Sequence, residues 1–100
     1  MYYYVYILKS RKNGIFYIGY TRNLRRRLKK HNSGKVFSTK QYIPYELIYF
    51  EGYLSRIDAI SREKALKHHG QGFRRLKERL KESSGVTDPV YVRGKGEKVV

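Results

Sequence analysis

Apolar residues in the first half of the chain come in short runs, not in long periodic stretches. The run from Tyr2 to Leu8 is built of aromatic and β-branched residues with one leucine and predicts a strand. Lys9 to Gly14 is polar and ends in Asn13-Gly14, the dipeptide best suited to a tight hairpin. Ile15 to Tyr20 is then a second strand, and so short a connection makes the two strands antiparallel neighbours. From Asn23 to Lys30 the pattern changes. Leu24 and Leu28 stand at helical spacing, Thr21 or Asn23 can cap the start, and Gly34 lies beyond the end. Lys35 to Pro44 is a polar loop, and Tyr45 to Tyr53 a third strand. Ser55-Arg56-Ile57-Asp58 has the form of a capping box and opens a helix that Gly70 stops. Phe73, Leu76 and Leu80 mark a third helix over 72–82. Ser83 to Val100 carries Gly, Pro and charge with little apolar periodicity, which predicts a basic, flexible tail.

The order β-β-α-β-α-α predicts an α+β (α/β) domain, one sheet with helices packed on it. A chain of 100 residues has room for one such domain and not two, here 1–82 followed by the tail 83–100. At 40% hydrophobic and 31% charged it reads as globular rather than disordered. The absence of cysteine excludes disulfides and the usual structural zinc sites. Met1 to Ser10 has no basic leader followed by an apolar core, and no run is long enough to span a bilayer, so the expected location is cytoplasmic.

Charge narrows the function class. Lys and Arg number 23 against 8 Asp and Glu, a net +15, and such a field draws in polyanions. There are also 11 tyrosines, which can stack on bases and donate to phosphates. Nucleic acid is the expected partner. A membrane surface is not, because no helix joins a basic face to a broad apolar one.

Three groups of residues sit where packing alone would not put them. At about 100° per residue, Ala59, Ile60 and Leu66 share one arc of their helix, and Glu63 falls inside it. A carboxylate there is costly unless it is paired or bound to a cation. It is either an ion pair to one of the many basic side chains or an oxygen ligand for a hard ion such as Mg²⁺. On the first helix, Arg27 and His31 lie four apart beside the Leu24 and Leu28 stripe. They are either a snorkelling arginine and a helix-end histidine or members of a site. Arg22, Arg25, Arg26, Lys29 and Lys30 lie elsewhere on the helix and suit a phosphate-binding face. On the strands, Tyr17 and Gly19 share a face that Tyr6 can reach if the register allows, and Gly19 suggests a close approach of another group.

Taken together, these segments resemble the GIY-YIG nuclease family. The first motif stands as Tyr4-Val5-Tyr6, with Tyr4 in place of the motif's first glycine, and the second as Tyr17-Ile18-Gly19. The helix motif runs from Asn23 to His31 and continues as Asn32-Ser33-Gly34, and a later motif stands as Arg62-Glu63-Lys64-Ala65-Leu66-Lys67. The resemblance covers residues 2 to about 82 and is nearest to the small stand-alone members. It implies a three-stranded, mostly antiparallel sheet flanked by helices. It implies catalytic roles for Tyr6, Tyr17, Arg27, His31 and Glu63, with Glu63 holding a single Mg²⁺ or Mn²⁺. The implied activity is metal-dependent endonucleolytic hydrolysis, of DNA in preference to RNA, in repair or structure-directed cleavage, by a monomer or weak homodimer. Two other readings are a non-catalytic basic nucleic-acid-binding module and an interaction protein that docks by a Tyr-rich edge strand.

Overall fold

The hairpin forms at Asn13-Gly14. Gly14 has a φ of 75°, a left-handed conformation that glycine adopts without strain. Its N–H donates to the Ser10 carbonyl at 2.9 Å, and the Ser10 N–H donates to the Ile15 carbonyl at 2.8 Å. The turn joins β1 (Tyr3–Ser10) to β2 (Phe16–Thr21), with Tyr6 opposite Gly19 and Leu8 opposite Tyr17. The computed structural model describes residues 1–68, 71–81, 92–94 and 97–99. After the hairpin come α1 (Leu24–Asn32), a 3-10 turn (Lys40–Tyr42), β3 (Tyr45–Tyr53), α2 (Arg56–His68) and α3 (Gln71–Arg79). β1 pairs antiparallel with both β2 and β3, so the expected antiparallel sheet with three helices is the observed one.

Most of the segment read as a flexible tail, 83–100, lies outside the described residues. Two stretches of it are described and are strands, β4 (Val92–Gly94) and β5 (Glu97–Val99). β4 runs parallel to β2, and the full order is β3-β1-β2-β4-β5. Three-residue strands are too short to show alternation, and β4 is held by backbone pairing to the edge of β2.

Side chains alternate across the sheet and build a core on each face. Val5, Ile7, Phe16 and Ile18 pack with Ala59 and Leu66 of α2 and with Phe73 and Leu76 of α3. Tyr6, Leu8, Tyr17 and Tyr45 form the opposite cluster, with Leu24 and Leu28 of α1 against it. β3 serves both because of a bulge: Ile7 pairs with Tyr49 but Leu8 with Leu47, which leaves Ile48 extra. One extra residue reverses the alternation. Tyr45 and Leu47 therefore join the α1 side, while Tyr49 and Tyr53 join the α2 side.

The same shift brings Glu51 to α2. Arg62 Nε donates to its Oε1 at 2.9 Å and a terminal nitrogen of Arg62 to Oε2 at 2.9 Å. The hydroxyls of Tyr49 and Tyr53 donate to the same carboxylate at 2.7 and 2.6 Å. Burial alone would raise the Glu51 pKa, but Arg62 and the two tyrosines hold it below the usual carboxylate range. This clasp pins α2 to β3 next to Glu63. α1 is fixed at both ends. Of its two possible caps, Asn23 is the one used, its Oδ1 accepting from Arg26 N–H at 3.0 Å. At the far end the Asn32 amide meets both the N–H and the carbonyl of Tyr45, at 2.6 and 3.0 Å.

Candidate active site

The two faces of α1 sort its basic residues. Arg22, just before the helix, and Arg25, Arg26, Lys29 and Lys30 are exposed, whereas Arg27 is half-buried and His31 fully buried. Leu24 and Leu28 seat the helix on the sheet, and the side chains on that same side are carried down to the tyrosines.

There they form a continuous hydrogen-bonded chain. Arg27 Nε donates to the Tyr6 hydroxyl oxygen at 3.3 Å. That hydroxyl lies 3.0 Å from His31 Nε2, and His31 Nδ1 lies 2.9 Å from Thr39 Oγ1. The Thr39 hydroxyl in turn donates to the Val36 carbonyl at 3.4 Å. One proton arrangement satisfies every member. Thr39 donates to Val36 and so accepts from His31 Nδ1–H, Nε2 is left bare, and Tyr6 donates to Nε2 while accepting from Arg27. Tyr17 lies against the imidazole, ring centroids 4.7 Å apart, and 6.3 Å from the Tyr6 ring. Gly19 is required opposite Tyr6, since a Cβ there would overlap the phenol. The close approach suggested by a glycine within a strand is therefore that of the Tyr6 ring.

The electrostatics match this proton arrangement. Burial, with help from Arg27 and Lys30, pulls the His31 pKa down to about 4, so the ring is neutral at neutral pH. Burial and then Tyr17 push the Tyr6 phenol well above its ordinary value, with Arg27 opposing. Burial would lower the Arg27 pKa, but its hydrogen bonds and proximity to Tyr6 and Tyr17 more than offset this and raise it.

Glu63 arrives from α2, whose apolar residues pack on the opposite face of the sheet. It is buried, as its place within the apolar arc predicts. Its Oε2 lies 3.0 Å from Lys67 Nζ, one helical turn on and equally buried. That ion pair is close but poorly directed, for Oε2 receives no hydrogen bond of good geometry. The carboxylate is near enough to Tyr6 for its charge to contribute to the raised phenol pKa. A buried, anionic oxygen donor without a directed hydrogen bond fits a hard divalent cation. Among the described residues no three His, Cys, Asp or Glu side chains cluster, so Glu63 would be the single protein carboxylate on such an ion.

The structure thus brings Tyr6, Tyr17, Arg27 and His31 into contact and places Glu63 within electrostatic reach of Tyr6. Two partners escaped the sequence. Thr39 is buried in what reads as a plain polar loop. Lys67 carried a weak signal, since it lies four residues after Glu63 on one helix.

Comparisons with known proteins point to one family. A family model described as the GIY-YIG catalytic domain matches residues 2–81. A UPF0213 protein of Streptococcus pneumoniae is 48% identical over 65 residues, 64% of this chain and 65% of that protein's length. A UPF0213 protein of Limosilactobacillus reuteri is 38% identical over 87 residues, 84% of this chain and 86% of the relative. The solution NMR structure of a UPF0213 protein from Bacillus halodurans superposes with a TM-score of 0.51 at 32% identity, covering 86% of this chain and 95% of that one. With the motifs, the strand register and the family model in agreement over 2–81, the chain belongs to the GIY-YIG catalytic-domain family.

Proposed function

We propose that this chain is a divalent-metal-dependent endonuclease that hydrolyses phosphodiester bonds in nucleic acid. DNA is the favoured substrate, in repair or structure-directed cleavage, and the proposed setting is the cytoplasm. The activity is assigned to residues 1–82, with 83–100 as an accessory basic tail; loss of cleavage on removing 83–100 would reassign it. The observation that carries the reading is the Arg27–Tyr6–His31 chain, a cation, a phenol and a neutral imidazole in hydrogen-bonded contact under a basic helix face.

Hydrolysis needs a deprotonated water and positive charge at phosphorus. Arg27, anchored through Nε, holds a planar guanidinium against one phosphate and stabilises the charge that develops there. Tyr17, acting as its phenolate, takes the proton of the attacking water, and the imidazole packed against its ring, whose bare Nε2 is bonded to the Tyr6 hydroxyl, is the second acceptor beside it. At rest His31 is a poor acceptor, and Arg27 is one cause. A phosphate bound at Arg27 offsets that repulsion, so substrate binding itself raises the basicity of the acceptor. Glu63 would hold Mg²⁺ or Mn²⁺. When bound, the cation adds positive charge at the phosphate and the leaving oxygen.

One observation favours a second reading, a binding module without catalysis: Lys67 already neutralises Glu63. A panel of duplex, branched and single-stranded DNA and RNA, incubated with Mg²⁺, Mn²⁺ or chelator, separates the two. The nuclease reading expects cleavage that chelator stops and that Glu63→Gln lowers by about 10²-fold or more, with binding at low salt retained. Full activity in Glu63→Gln would sink the metal-ligand assignment, because Gln keeps the shape and loses the charge.

A further inference from the structure

The α1 face of the sheet carries aromatic rings that the site does not use. Tyr4 and Tyr6 are alternate residues of β1 and share this face. Across the register, Tyr6 pairs with Phe50 and Tyr4 with Gly52. The Tyr4 ring lies 6.0 Å from Phe50, edge-on, and 6.3 Å from Tyr2. Gly52 lies beneath, where a Cβ would be 3.4 Å from the Tyr4 ring and 3.5 Å from Tyr2. Phe50 is 53% exposed and Tyr2 49%, although both are large and apolar in the main. Isolated exposed apolar residues are ordinary, but three adjoining rings beside a buried polar centre are not.

We propose that Tyr2, Tyr4 and Phe50 form a stacking platform that takes an unpaired nucleobase next to the Tyr6–Arg27–His31 centre. The inference rests on the nucleic-acid reading above and gives it a substrate feature, a base unstacked close to the bond that is cut. Two observations choose this occupant over a protein. The patch is continuous with the site through the Tyr6–Phe50 pair, so a strand whose phosphate meets Arg27 passes over it. The helix on this face is lined with exposed Arg25, Arg26, Lys29 and Lys30, which complement a polyanion. Every base offers a π-face, so such a platform selects for unpaired strands and not for sequence. A base inside a duplex is stacked on both sides and cannot reach it.

The test uses the full chain, a short oligonucleotide carrying one 2-aminopurine, and chelator to keep the strand intact. Deoxy and ribo versions and a deoxy duplex serve as separate arms. The wild-type chain is expected to quench the fluorophore in the single strand. Phe50→Ala should abolish the quench and shift the ratio of single-strand to duplex Kd by about ten-fold. Phe50→Leu, which stays apolar but has no ring, should do the same, and Tyr2→Ala should give a smaller shift. Both positions are exposed, so the variants keep the fold. An unchanged ratio in Phe50→Ala, or full retention of quench in Phe50→Leu, would overturn the platform. So would loss of a dimer in sedimentation equilibrium with the quench unchanged, which would make the patch a self-association surface. Failure of the nuclease reading is distinguishable: no Mg²⁺- or Mn²⁺-dependent cleavage of any substrate with the quench intact defeats that reading alone. Cleavage with no quench defeats the platform alone.

Discussion

Arg25, Arg26 and Arg27 are adjacent in the chain, but only the third is turned into the protein, where its Nε meets the Tyr6 hydroxyl. A donor held in this way is positioned before the substrate arrives, and losing one such group costs on the order of 10²–10³ in rate. Arg27→Ala is therefore expected to lower single-turnover cleavage at saturating substrate by that order with little change in affinity. Arg26→Ala should weaken binding and spare the rate, and Arg27→Lys should rescue poorly because it offers charge without the planar fork. Identical behaviour of Arg26→Ala and Arg27→Ala would reduce the helix to a charged handle. His31 has a second, thermodynamic signature. Its pKa is about 4 in the folded protein and about 6.5 when unfolded, so below pH 6.5 the unfolded chain gains a proton that the folded one refuses. Its contribution is complete above pH 6.5 and is lost as the pH falls towards 4, by about 1–3 kcal/mol. Melting temperatures measured across that window should show a slope that His31→Gln removes, and an unchanged slope would contradict the neutral, buried imidazole.

At the scale of elements, α2 carries both Glu63 and its buried counter-ion Lys67, and its seat on the sheet is set by the Arg62–Glu51 clasp. Removing one member of a buried ion pair leaves the other charge uncompensated, at a cost of about 3–5 kcal/mol. In Lys67→Met the carboxylate is left without its ammonium, so a divalent cation becomes the available partner. Differential scanning fluorimetry is expected to show a lower Tm without metal and a larger rise with Mg²⁺ or Mn²⁺ than in the wild type. In the double variant Lys67→Met, Glu63→Gln that metal response should vanish. A metal-induced rise that survives in the double variant would place the cation elsewhere. The bulge at Ile48 belongs to this scale as well. It gives Tyr45 and Leu47 to one core and Glu51 to the other, so one strand supports both α1 and α2.

For the molecule as a whole, the dominant property is a net charge of +15 on one small domain. The proposed function assigns its exposed share, on α1 and at Arg22, to affinity and encounter, away from the buried chain beneath it. On duplex DNA, log K falls with log salt by about 0.9 for each phosphate neutralised. Replacing both Arg25 and Lys29 should therefore flatten the slope by up to about 2 while leaving the rate at saturation intact. A loss of rate at saturating substrate would mean that grip and chemistry are not divided between the two sides of α1. Among the described residues no helix is long and apolar enough to cross a membrane.

Features that local period and turn chemistry encode were legible from the residues alone. The hairpin followed from Asn13-Gly14, the strand faces from alternation, and the burial of Glu63 from its place between Ile60 and Leu66. Helical spacing likewise set Arg27 and His31 apart from their basic neighbours, and the order of motifs carried the family. Boundaries moved by a few residues, as with β1, which runs to Ser10 because its pairing with β3 continues to Tyr45. What closes over long range came from packing between distant segments. Thr39 meets His31 Nδ1 from a loop with no period to read. Among the described residues Lys67 is the cation that answers Glu63, buried beside it one turn away. The partnership of Tyr6 with Gly19 depended on register, and that of Glu51 with Arg62 on a bulge. A one-residue slip in either would have sent the same side chains to the other face, since the period of a strand is two.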